Sequence, residues 1–199
     1  MKKPLLIFDL MDTVVVDPFF YLVPSFFGMT MAEFLQVKDP DSWPDFELGK
    51  IDEAEYFHNF FRNGTTRQLE DSESFKAALF AAYHYVEGME ALLTLLHKNG
   101  APLWVHSNYS PWVSEIRTRL GLDRFFTGYA MSFELGARKP DPQAYQAALA
   151  YIGEIAANCL LIDDRMINVE AARALGMLSI HFQSTPQLHR DLISYGFAI

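Results

Sequence analysis

Six positions carry side chains suited to chemistry on an anionic substrate. Asp9 closes one apolar run and Asp163-Asp164 close another; Ser107-Asn108 follow a third, and Lys139 stands just ahead of Asp141-Pro142. A carboxylate can act as nucleophile, proton carrier or hard-metal ligand, a hydroxyl or amide can hold an oxyanion, and an ammonium offsets negative charge. With Asp12 included, the set places four carboxylates against one cation. Carboxylates crowded in this way need a bound cation or raised pKa values. An all-oxygen donor set at a phosphate-handling site favours Mg²⁺.

These side chains meet only if the elements carrying them are neighbours. Leu5 to Phe8, Leu103 to Val105 and Cys159 to Ile162 are apolar on both faces, the pattern of parallel strands covered by helices on both sides. Leu178 to Phe182 and Tyr129 to Ser132 are two further candidates. Helical spacing falls between them. Met89, Leu92, Leu93 and Leu96 form one stripe, stopped by Asn99-Gly100. Ser110 reads as an N-cap with Pro111 at the first helical position, ahead of Trp112, Ile116 and Leu120. Asp141-Pro142 repeats that signal before Tyr145, Ala148, Leu149 and Ile152. Val169 to Leu175 and Pro186 to Tyr195 are the last two predicted helices. Strands and helices in alternation give an α/β fold with a mostly parallel, Rossmann-like sheet. Ligands bind such sheets beyond the carboxyl ends of the strands, where these candidate residues fall.

Residues 16–83 differ. Helical patterns fill them, among them the capping-box start Asp52-x-x-Glu55, and no strand pattern stands out. The expected organisation is a core of residues 1–15 and 84–199, with an all-helical cap at 16–83 inserted after the first strand. Sixteen of the 29 aromatic residues lie between Val16 and Tyr85. Most must form the core of a small helical unit, and a few could stack on a planar substrate or form a dimer surface.

Composition excludes other classes. The 199 residues are 50% hydrophobic and 21% charged, a globular balance. A net charge of −9 argues against general binding to nucleic acid or anionic membranes. One cysteine, Cys159, rules out an internal disulfide or a cysteine-rich zinc site. Lys2-Lys3 precede a run too short for a signal peptide, and no stretch reaches the roughly 18 apolar residues of a membrane span. The expectation is a cytoplasmic monomer or homodimer acting on a small molecule. Six histidines show no metal-ligand spacing. His106 and Ser107, adjacent on a strand, point to opposite faces.

In order along the chain, Phe8-Asp9-Leu10-Met11-Asp12-Thr13, Ser107, Arg138-Lys139-Pro140-Asp141-Pro142, and Ile162-Asp163-Asp164-Arg165 with Asn168 resemble the four motifs of haloacid dehalogenase-like (HAD) hydrolases that carry a helical cap between motifs one and two. The resemblance runs nearly end to end. It implies a phosphomonoesterase in which Asp9 is the phosphorylated nucleophile and Ser107, Asn108 and Lys139 hold the phosphoryl group. Asp9, Asp163, Asp164 and the Met11 carbonyl would bind Mg²⁺. Phe8 to Val14, with Asp17-Pro18-Phe19 and Val23 to Met29, is similar to a branch that includes chloroplast flavin mononucleotide (FMN) hydrolases, which implies hydrolysis of FMN to riboflavin.

One departure stands out. The family places an acid/base aspartate where this chain has Met11, whose thioether transfers no proton, and a glycine where it has Asp12. Asp12 is the nearest carboxyl that could replace the missing one. Two alternatives stay open: a 2-haloacid dehalogenase, whose halide leaves without a proton, and a catalytically silent binding protein that keeps the pocket.

Overall fold

The computed structural model describes residues 3–65 and 69–199; Lys2 and residues 66–68 of the expected cap lie outside them. Strand β1 (Leu5–Phe8) leads into five helices, α1 (Phe19–Phe26), α2 (Met31–Val37), α3 (Ser42–Glu47), α4 (Glu53–His58) and α5 (Ser72–Ala82). Then come α6 (Met89–Lys98), β2 (Leu103–Ser107), α7 (Val113–Leu120), β3 (Gly128–Met131), α8 (Ser132–Leu135) and α9 (Pro142–Ile152). The chain closes with β4 (Cys159–Asp163), α10 (Met166–Ala174), β5 (Leu178–His181) and α11 (Thr185–Ser194).

The five strands form one parallel sheet in the order β3-β2-β1-β4-β5. β1 is therefore central, and its last residue, Phe8, pairs with Val105 on one side and Ile162 on the other. One step further along, Asp9 comes level with Asp163, and Ser107 closes the adjacent strand. The strands are buried on both faces, as their sequences require. Leu6, Phe8, Val105, Leu160 and Ile162 pack with α6, α7 and α11, while Ile7, Cys159 and Leu161 pack with Tyr145 of α9 and Ala172 of α10. His106 lies among the buried residues, with Nδ1 on the Ala130 carbonyl (2.9 Å) and its ring edge-on to Tyr145. Among the described residues, no helix is long and apolar enough to cross a membrane.

Several contacts tie the helical insertion to the sheet unit. Its aromatic core (Trp43, Phe46, Tyr56) closes around Trp112, which the sheet unit contributes from the turn before α7. The Ser132 hydroxyl donates to the Glu47 carbonyl at 2.5 Å. Gly49, at φ +68°, lies so close to Phe133 that a Cβ there would stand 2.7 Å from its carbonyl oxygen.

Element ends moved where tertiary contacts outbid local signals. Pro111 does not open α7: Ser110 and Pro111 instead form a tight turn, with Val113 N–H on the Ser110 carbonyl (3.1 Å) and Ser114 N–H on the Pro111 carbonyl (3.2 Å), which sends Trp112 into the aromatic cluster. α10 starts at Met166, three residues before the predicted Val169, because the Asp163 carboxylate accepts the Arg165 N–H (2.9 Å) and turns the chain at once. Asp52-x-x-Glu55 and Asp141-Pro142 cap their helices as read.

Gly49→Ala is expected to destabilise the protein by about 1–3 kcal/mol, since the new methyl meets a carbonyl and the backbone stays in the left-handed region. Urea unfolding measures it, and a loss below a few tenths of a kcal/mol would show that this contact does not fasten the insertion to the sheet.

Candidate active site

The strand ends gather the predicted residues around one buried ammonium. Lys139, 2% exposed, donates from Nζ to Asp9 Oδ1 at 2.9 Å and to Asp163 Oδ2 at 2.6 Å. Its position is set by Asn108, whose amide clamps the lysine main chain from both sides: Nδ2 donates to the Lys139 carbonyl and Oδ1 accepts the Lys139 N–H, each at 2.8 Å. Asp163 is held through both of its oxygens. Asn168 Nδ2 bridges its two oxygens at 2.9 and 3.0 Å, and the Arg165 N–H binds Oδ1. The side chain of Asn108, predicted as a substrate ligand, is thus spent on positioning Lys139. Asn168, read only as part of a motif, orients Asp163.

Burial and charge oppose one another here. Burial alone would lower the Lys139 pKa, but Asp163 and Asp9 override it and hold the ammonium above its ordinary value. Burial pushes the Asp163 carboxyl up, yet Lys139 and its hydrogen bonds bring it below the usual carboxylate range. Asp9 goes the other way. Its burial, reinforced by the Asp163 charge, outweighs the help from Lys139 and Ser107, and its pKa is raised. Asp164 is pushed up to about 7 by burial and by Asp9 and Asp163.

That imbalance is the test for a metal. Asp9, Asp163 and Asp164 each offer a carboxylate oxygen, and these oxygens lie within 4.8 Å of one another. The group is short of positive charge even with Lys139 present. The Met11 carbonyl accepts none of the backbone hydrogen bonds that close its turn, which run from Asp12 N–H to Val15 and from Val14 and Val15 N–H to Leu10. A hard divalent cation fits these oxygen donors.

Asp12 lies at the rim. It is the one residue other than glycine with positive φ (+53°) among the described residues, a conformation aspartate tolerates better than most side chains. Its carboxylate is exposed and accepts the Asp17 N–H at 3.0 Å.

Above the acids opens a cavity of about 550 Å³, within the range of roughly 300–1,000 Å³ common for small-molecule sites. Its floor is Asp9, Ser107, Lys139 and Asp164, and its walls are largely aromatic, including Phe19, Trp43, Tyr56, Tyr83, Tyr109 and Trp112. Several wall residues escaped the sequence reading. Glu47, 3% exposed, pairs with Arg138 at 2.5 Å. The hydroxyls of Tyr83 and Tyr109 share a hydrogen bond. Asp17 also faces the cavity. No local pattern marks these residues, because each is brought to the wall by the docking of the insertion.

Residues 5–176 match the haloacid dehalogenase-like hydrolase family. Flavin mononucleotide hydrolase 1 of Arabidopsis thaliana, named as chloroplastic, is 37% identical over 198 residues, covering 100% of this chain and 80% of the relative. Sesquiterpene phosphatase astK of Aspergillus oryzae is 30% identical over 161 residues, 77% of this chain and 78% of the relative. In fold, the chain is similar to the HAD family enzyme BT-2542 of Bacteroides thetaiotaomicron, solved with magnesium and inorganic phosphate. That likeness has a TM-score of 0.72 at 18% identity and covers 92% of this chain and 96% of that one.

Replacing Lys139 by Met should cost about 3–5 kcal/mol near neutral pH, since it strands Asp9 and Asp163 together without a counter-charge. Both carboxyls would then titrate above their unfolded values. Folding would take up protons, so the variant regains stability on acidification and loses it as pH rises through those raised values. Urea unfolding in EDTA at about pH 5 and about pH 8 checks the sign; a deficit equal at both would mean that charge is not its cause.

Proposed function

The chain belongs to the haloacid dehalogenase-like hydrolase family, and on that premise we propose that it is a Mg²⁺-dependent phosphomonoesterase that hydrolyses FMN to riboflavin through an aspartyl-phosphate. The observation that carries the reading is the buried Asp9–Lys139–Asp163 array, whose Asp9 and Lys139 form the floor of an aromatic-lined cavity. A flat, apolar ring system with a phosphate at one end matches both ends of that cavity.

The roles follow from placement. Asp9 Oδ attacks phosphorus, with Lys139 beside it to take up negative charge on the phosphoryl oxygens. The Ser107 hydroxyl and the Asn108 main chain hold the remaining oxygens, the Asn108 side chain being committed to Lys139. Asp9, Asp164 and the Met11 carbonyl would hold Mg²⁺, with Asp163 as the third carboxylate in reach. When bound, the ion supplies positive charge that offsets repulsion between the Asp9 carboxylate and a phosphate. The leaving oxygen must receive a proton. Met11 has none to give, which leaves Asp12, the sequence candidate, and Asp17, both on the cavity wall.

The doubled acid at the floor supports metal-assisted phosphate chemistry over the dehalogenase alternative. The aromatic wall would also suit a terpenoid phosphate, the substrate class in the name of the Aspergillus relative. Identity over the full chain to the flavin mononucleotide hydrolase favours FMN. The reading places the protein in the cytoplasm as a monomer or homodimer, with no nucleic-acid or membrane partner, although the Arabidopsis relative is by name chloroplastic.

Phosphate release from FMN, a sesquiterpenyl phosphate and small sugar phosphates, with Mg²⁺ and with EDTA, tests the reading. FMN should be hydrolysed fastest, EDTA should stop the reaction, Asp9→Asn should abolish it, and Asp164→Asn should weaken Mg²⁺ binding in calorimetry. FMN should also quench tryptophan fluorescence, because Trp43 and Trp112 line the cavity. Turnover undiminished by EDTA would reject the metal, and a clear preference for sugar phosphates would reject the flavin.

A further inference from the structure

We propose that Asp17 is the proton carrier of this site, donating to the leaving oxygen and then accepting a proton from the hydrolytic water, while Asp12 acts as a positioning residue that holds it. The inference rests on the phosphomonoesterase reading.

After β1 the chain makes a tight turn through the left-handed Asp12 and returns beside residues 84–86: Val16 N–H binds the His84 carbonyl (2.9 Å) and Val86 N–H binds the Val14 carbonyl (3.0 Å). Asp17 is the first residue past this clamp. Its own N–H is fixed by the Asp12 carboxylate, and its Oδ1 accepts the Phe19 N–H at 3.0 Å. Among the described residues no other hydrogen bond reaches this carboxyl, and Asp17 lines the same cavity wall as Met11, Asp12 and Asp9. The side chain is thus anchored through Oδ1 on a residue that lines the cavity. Asp12, by contrast, is exposed and spends a carboxylate oxygen on the chain.

The surroundings suit a carried proton. The titratable groups acting on Asp17 are Asp12 and Asp9 from the turn after β1, Tyr21 of α1, Tyr83 after α5 and Tyr109 after β2. None is cationic. Burial first, and then the Asp12 and Asp9 charges, push Asp17 up to about 6. An acid in that range is matched to general acid–base work near neutrality.

The steps balance. As the bond from Asp9 Oδ to phosphorus forms, the bond from phosphorus to the substrate oxygen breaks, and that oxygen takes the proton of the Asp17 carboxyl. Asp17 is then a carboxylate. A water oxygen attacks the phosphoryl group, Asp17 takes the water's proton, and the Asp9–phosphorus bond breaks, restoring both carboxyls and releasing inorganic phosphate.

An alkyl phosphate and an aryl phosphate separate this role from a structural one, because an aryl oxide departs unaided. Asp17→Asn should lower kcat/KM for the alkyl phosphate about 10²-fold or more, and far less for the aryl phosphate. The aryl substrate should then show a burst of one phenol per protein, as the phosphoryl-enzyme waits for its base. The alkaline fall in wild-type alkyl kcat/KM, centred near the Asp17 pKa of about 6, should vanish in the variant. Asp17→Ser also keeps an acceptor for the Phe19 N–H, and it should behave alike if the asparagine variant folds poorly. Asp12→Asn should lose less than Asp17→Asn on the alkyl substrate. The assignment is overturned if a folded Asp17 variant keeps alkyl turnover, loses both substrates equally, or loses less than Asp12→Asn. Wild type inactive on both phosphates would overturn the phosphomonoesterase reading, and this assignment with it.

Discussion

One ammonium, 2% exposed, stands between two carboxylates at the end of the central strand, and the site is arranged around it. An isolated charge in this position would cost several kcal/mol to bury. Lys139 is held there because Asp9 and Asp163 sit on adjacent strands in register, and because Asn108 locks its main chain. The requirement runs the other way too. Without the lysine, Asp9 and Asp163 could not both remain ionised at this separation, and an unionised Asp9 is no nucleophile. The sheet order, which puts β1 between β2 and β4, is therefore an electrostatic condition as well as a packing one.

The neutralisation is incomplete, and the excess is functional. With Asp164 included, three carboxylates face one cation. Burial, and after it the neighbouring carboxylate charges, raise the pKa of Asp9 and push Asp164 up to about 7. Oxygen donors in this arrangement fit a divalent cation. Aromatic rings from the insertion and from Tyr109 and Trp112 of the sheet unit supply much of the wall, beside charged residues such as Lys38, Glu47 and Arg138.

Met11 gives the proton problem its particular form. A thioether replaces the carboxyl that the family resemblance leads one to expect, and the next residue occupies a left-handed turn where its carboxylate accepts the Asp17 N–H. A carboxyl six residues past Met11 reaches the same cavity only because the turn folds back on residues 84–86.

Much of this was legible in the residues themselves. Strands apolar on both faces, Asp52-x-x-Glu55, Asp141-Pro142 and the stripe from Met89 to Leu96 are local patterns set by hydrogen-bond satisfaction and hydrophobic period, so they can be read without the fold. Asp9, Ser107, Lys139, Asp163 and Asp164 fall at element ends, and a parallel sheet gathers its strand ends on one edge. Their convergence required the strand order that puts β1 between β2 and β4. The tertiary structure decided what depends on pairs distant in sequence. The Asn108 clamp on Lys139, the Glu47–Arg138 pair and the turn that sends Trp112 into the insertion each join residues whose types are unremarkable where they stand. Local sequence fixes which backbone groups must be satisfied and which faces must be buried. Which side chain ends up facing a cavity is settled by the docking of one unit on another, and no local pattern encodes that.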